Sequence, residues 1–149
     1  MLEECRSKFS VGIGAGFVKC VNGNFFEVEM PLANSLVLSI LSMQFMPTSY
    51  RQKMLNDIYD HMLYGGALVF VEKVVADGGA DDLLVDLYYE MKRRNGYKIE
   101  KIVEKRKSLE NVLSPLKPGW NVEMLHNAGF KVVDMFWRCL NFCGWIAIK

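Results

Sequence analysis

The stretch PTSYRQKMLNDIYDHMLYGGALVFVEKVVA, residues 47–76, changes its period at the middle, and that change decides the fold. Its first half places Met54, Leu55, Ile58 and Met62 at the three- and four-residue spacing of one helical face, with Thr48 or Ser49 as the cap. Gly65-Gly66 reads as the stop, because glycine ends helices without the steric cost a side chain brings. The second half, ALVFVEKVVA (67–76), is a short run rich in branched apolar residues, the pattern of a strand at the centre of a sheet.

The same alternation extends in both directions. MLEECRSKF (1–9) reads as the end of a helix, and GFVKCV (16–21) and SLVLSIL (35–41) as short buried strands. DDLLVDLYYEMKRR (81–94) opens a pair of helices broken at Asn95-Gly96. A shorter helix ends in LHNAGF (125–130), with Gly129 in the left-handed region, and KVVDMFWRCL (131–140) and GWIAIK (144–149) are the final strands. Strands separated by helices need crossover connections, so the core sheet is predicted to be parallel with helices on both faces, an α/β layout.

Composition narrows the function classes. A chain of 149 residues, 51% hydrophobic and 23% charged and without a Pro/Gly/Ser-rich linker, is expected to form a single domain over 1–149. No apolar run approaches the roughly 20 residues that cross a bilayer, and the N-terminus has no signal-peptide core; a soluble, cytoplasmic protein without membrane contact is expected. Cys5, Cys20, Cys139 and Cys143 lack metal-ligand spacing, so free, mostly buried thiols and no metal site are expected. A net charge of +1 argues against a protein that coats nucleic acid.

VGIGAGF (11–17) carries Gly12, Gly14 and Gly16, a spacing that in nucleotide-binding turns follows a buried strand and opens a helix. Here a polar helix precedes it and a strand-like run follows, so a flexible loop is the better reading. His61 and His126 fall near helix ends, where a cation complements the dipole. Tyr88, Tyr89, Trp137 and Phe142 fit either a core or a pairing surface.

The charge is concentrated. Residues 92–107 hold eight basic against two acidic side chains, the pattern of a solvated face. Arg106 is the exception. On a helix running from Ile99 it falls at the centre of the arc formed by Ile102, Val103, Leu109 and Leu113. A guanidinium aimed into an apolar face must find an anion. That anion is either Glu110, at i, i+4, or a ligand.

The segment MKRRNGYKIEKIVEKRKSLENVL (91–113), with YGGALVFVEK, MQFMPTSYRQKML, LHNAGF and MFWRCLNF, resembles the carboxy-S-adenosyl-L-methionine synthases, a branch of the class I methyltransferase superfamily. The resemblance runs from Met1 to Lys149. It implies a Rossmann-like fold, a mostly parallel sheet with a C-terminal antiparallel strand, from which the first strands are missing. It also implies an enzyme that converts S-adenosylmethionine and prephenate into carboxy-S-adenosylmethionine and phenylpyruvate, a product used in wobble uridine modification of tRNA. The family is dimeric, so a homodimer without direct nucleic-acid binding is expected.

Carried over residue by residue, the arginine that holds the product's carboxylate matches Arg106, both catalytic and cofactor-binding in role. A planar fork suits a carboxylate, and apolar surroundings would exclude water from the ylide formed at the sulfonium. The adenine-side positions match Asn24 and Phe25, where asparagine replaces the family's aspartate, and Ser39 by counting along the chain; a turn asparagine and a core serine are the alternatives. Met1 corresponds to a position well inside the family sequence, so the phosphate-side glycine turn and the ribose acid are missing. The chain is therefore expected to be inactive alone. A small-molecule methyltransferase or a non-catalytic interaction module are the competing readings.

Overall fold

The computed structural model describes residues 2–149. The backbone gathers into two compact units, Met1–Pro31 and Leu32–Lys149.

The first unit contains α1 (Leu2–Lys8) and α2 (Ser10–Gly14), neither with a buried residue. Thirty residues enclose too little apolar volume to form a core, and Val11 and Phe17 lie in solvent. The strand predicted at 16–21 does not form; this segment is irregular, and the unit holds no strand among the described residues to accept its backbone groups. The predicted glycine loop is also corrected, since Gly12 and Gly14 lie within α2. Gly12 is a packing glycine. A Cβ there would sit 2.8 Å from Cγ2 of Val18, and the N–H groups of Phe17 and Val18 both donate to its carbonyl.

The second unit is a four-stranded sheet, order β1-β2-β4-β3, with β1 (Asn34–Ile40), β2 (Met62–Lys73), β3 (Val132–Cys139) and β4 (Phe142–Ile148). β1 and β2 are parallel, and β4 runs against both β2 and β3. Three strands therefore share one direction, and the C-terminal strand is the reversed one, as the resemblance implies. Register pairs Leu68 with Ala147 and Phe70 with Trp145, whose rings lie 5.7 Å apart. These four side chains are sealed, and Leu55 and Ile58 of α3 (Thr48–Asp60), Leu125 of α6 (Pro118–Asn127) and Phe130 complete the core.

Only this face is well covered. On β1, Leu36, Leu38 and Ile40 are exposed, in register with Ala67, Val69 and Val71. The prediction of helices on both faces is corrected. α4 (Asp81–Arg94) and α5 (Ile99–Leu109) instead line a cavity with Leu41, Lys73 and Phe142, which sit at the strand ends.

The glycine pair also acts differently from the prediction. α3 ends at Asp60, and Met62 already belongs to β2. Gly65, at φ 76°, and Gly66 absorb a register shift between the Asn34–Met62 and Leu36–Ala67 pairs. A Cβ on Gly66 would come within 2.8 Å of the Leu63 carbonyl. The stop at Gly129 stands: its φ is 113°, and the Tyr59 ring occupies the space a Cβ would need. All four cysteines are free, but only Cys143 is buried.

Candidate functional site

The helix carrying Arg106 is shorter than its apolar pattern. α5 ends at Leu109; Glu110 has extended backbone angles and Asn111 takes φ 62°. An i, i+4 pair needs both residues on one helix. Among the described residues, accordingly, Arg106 makes no ion pair with Glu110, although both border a shallow hollow beside Asn111. The guanidinium carbon instead stands 5.7 Å from the centre of the Tyr89 ring.

That ring belongs to the wall of an open cavity of about 240 Å³ at the ends of β1 and β2. Four cations line it: Lys73 from the end of β2, Lys92 from α4, and Lys105 and Arg106 from α5. No carboxylate does, among the described residues. The basic stretch thus divides by geometry. Arg93 and Arg94 pair with Glu90, and Lys101 with Glu104, on the solvent side, while Lys92, Lys105 and Arg106 turn to the cavity. Tyr88 anchors the arrangement, with the Lys92 ammonium 4.5 Å and the Lys73 ammonium 5.9 Å from its ring centre, and Phe142 5.2 Å away.

Lys73 records the crowding. Burial lowers its pKa, and Lys92 and Arg106 push the same way while Asp81 opposes them. Such a cluster is stabilised by whatever negative charge enters, because nothing on the wall neutralises it.

The adenine-side candidates are placed differently. Asn24 lies in the first unit and is exposed; its Oδ1 accepts from the Phe26 N–H at 3.2 Å, and its carbonyl accepts from Glu27 and Val28. This is an asparagine closing a turn. Phe25 is half-buried and meets Phe26 edge to face. Ser39 is buried, in register with Phe70, with its Oγ 3.0 Å from that of Ser42. Both histidines close helices, with Nδ1 of His61 2.7 Å from the Asp57 carbonyl and Nδ1 of His126 2.9 Å from that of Phe130. Among the described residues, no three His, Cys, Asp or Glu side chains converge as metal ligands, and no helix is long and apolar enough to cross a membrane.

Two residues near the cavity escape the sequence reading. Glu72 and Arg51 are both 3% exposed. Burial pushes the Glu72 carboxyl up to about 7, against the pull of the Met43, Gln44 and Ser42 N–H groups and of Arg51. The available signal was a charge interrupting the apolar run VFVEKVV.

A solved structure of the S-adenosylmethionine-dependent methyltransferase SibL superposes on 99% of this chain and 40% of its own length, with a TM-score of 0.65 at 15% identity. The fold is therefore that of the S-adenosylmethionine-dependent methyltransferases. Sequence goes further. A carboxy-S-adenosyl-L-methionine synthase of Methylococcus capsulatus is 39% identical over 150 residues, which take in the whole of this chain and 62% of that protein. Another, of Yersinia pestis, is 33% identical over the whole of this chain and 56% of its own length. The chain is a homologue of the carboxy-S-adenosyl-L-methionine synthases that spans about three fifths of their length. No protein-family model matches it.

Proposed function

We propose that this chain is the anion-seating part of a carboxy-S-adenosyl-L-methionine synthase. Such an enzyme, in the cytoplasm and as a homodimer, turns S-adenosylmethionine and prephenate into carboxy-S-adenosylmethionine and phenylpyruvate for wobble uridine modification of tRNA. The carrying observation is the cavity with four cations and no carboxylate on its wall. In this reading Arg106 holds a carboxylate with its planar fork, Tyr89 backs the guanidinium, and Lys73, Lys92 and Lys105 supply the surrounding field. A small-molecule methyltransferase would need a general base at its acceptor, and neither histidine lines the cavity.

The adenosine end fits less well. Asn24 and Ser39 direct their side-chain oxygens to partners within the chain. S-adenosylmethionine and its carboxylated form are then held chiefly by the portion of the relatives that this chain does not match, and the chain alone turns over no prephenate. Calorimetry with phenylpyruvate tests the reading: the wild-type chain binds it and Arg106→Ala weakens binding by about tenfold or more, the scale of a lost charge-assisted pair. Equal binding by both proteins would remove Arg106 from the site, and product formation in a prephenate turnover assay would refute the inactivity.

A further inference from the structure

The cavity wall made by Leu41, Gln44 and Phe45 belongs to the turn 41–46 between β1 and α3. Two buried charges that do not themselves line the cavity hold this turn from its two kinds of backbone group. Glu72 Oε1 accepts the Met43 N–H at 2.9 Å, and Oε2 accepts the Gln44 N–H at 2.8 Å. Arg51 takes the carbonyls: its Nε donates to Met46 at 2.9 Å, and its Nη2 to Met46, Gln44 and Ser114 at 2.8, 3.3 and 2.6 Å. The Ser114 N–H also donates to the Gln44 carbonyl at 2.9 Å, which ties in Leu113, a further wall residue. Gln44 Oε1 in turn accepts the N–H of Lys73.

We infer that Glu72 and Arg51 are positioning residues for the cavity: they fix the turn 41–46 and Leu113 in the shape that lets the cavity hold an organic anion, although neither touches it. The inference rests on the reading of the cavity as an anion seat. The chemistry is specific to a carboxylate. Each carboxylate oxygen takes one of the two adjacent N–H groups, whereas a carboxamide in the same pose turns its NH₂ toward one of them. Protonation has a similar effect, because one oxygen becomes a donor. The groups around Glu72 are Arg51 from α3, the thiol of its register partner Cys143 on β4, and, beside it in the chain, Lys73, which leads to Lys92, Lys105 and Arg106. Titration of Lys73 also acts on anion affinity, with the opposite sign, since its protonation strengthens binding.

The test is calorimetric titration of phenylpyruvate into the full chain, as wild type and as Glu72→Gln, between about pH 6 and pH 8, the window spanned by the carboxyl. At the upper end Glu72→Gln binds about tenfold more weakly, the loss expected when a binding wall is displaced without removal of a contact. Wild-type affinity contains a component that rises as pH rises through this window and is absent in the variant; comparison of the two removes Lys73, which both carry. A readout independent of the variant's folding comes from the wild type, where the amide resonances of Met43 and Gln44 shift together as Glu72 titrates. Equal affinity and equal pH profiles in the two proteins, or Met43 and Gln44 amides that ignore pH, would overturn the inference alone. No binding by the wild type would overturn the anion seat and this inference with it.

Discussion

On one side of the sheet Phe70 and Trp145 are sealed, whereas on the other Leu36, Leu38 and Ile40 stand 56, 63 and 49% open. Both sides are equally apolar in sequence, the mark of a sheet written for cover on two faces. Helices α3 and α6 meet that need on one face only. Burial here follows from the supply of covering elements rather than from side-chain character. β1 is also an edge strand, so among the described residues no further strand of the sheet pairs with its outer side beside these exposed apolar residues.

The largest test of this contrast is Trp145→Ala. Its ring is fully enclosed, and its loss costs about 3–5 kcal/mol in denaturant unfolding; a cost near 1 kcal/mol would mean that the covered face is loosely packed. Glu72 comes next, because it is the charge on the covered face. Its carboxyl rises from 4.5 to about 7 on folding. Between those values the folded chain binds more protons than the unfolded one, so stability declines as pH rises through that window, by up to about 3 kcal/mol, and Glu72→Gln flattens the decline. Thermal unfolding at a series of pH values reads this directly. Gly129→Ala, which forces a Cβ toward the Tyr59 ring at φ 113°, costs about 1–2 kcal/mol by the same measurement. Leu38→Ser on the open face changes stability by less than about 0.5 kcal/mol and reduces self-association in sedimentation. A loss as large as that of a core residue there would show that something covers the face in solution.

Glu72 shows why part of the site was hidden from the sequence. As a buried carboxylate it weakens the fold at neutral pH, yet it organises the turn beside the cavity, a conflict between stability and function. Its partners, Met43 and Gln44, are almost thirty residues away and are held through their backbone, which no side-chain pattern marks. Helical periodicity marked Arg106 by setting it in an apolar arc, of which Ile102, Leu109 and Leu113 line the cavity with it. Lys92 and Lys105 were not so marked, since they share one basic run with Arg93, Arg94 and Lys101 and only local pairing to Glu90 and Glu104 separates the two sets.

The fold was legible wherever a segment found its partner. The apolar runs SLVLSIL and GWIAIK locate β1 and β4 closely, whereas ALVFVEKVVA marks only the later part of β2, which already begins at Met62. GFVKCV has the composition of a strand but forms none, and among the described residues its unit holds no strand. Gly65-Gly66 looks like a helix stop because a bulge and a stop demand the same residue, and the register that distinguishes them is a long-range fact. Glycines 12 and 14 lie in a helix because Val18 packs over the first, a contact that spacing does not encode.

The reversed strand has a consequence for biosynthesis. Residues 142–148 lie between β2 and β3, so β3 has no sheet to join until they arrive. A ribosome translating this message must release that segment from its exit tunnel before the core can close, and until then Phe70 waits without Trp145. Nascent chains stalled short of residue 142 would be open to chaperones and proteases in a way the finished polypeptide is not.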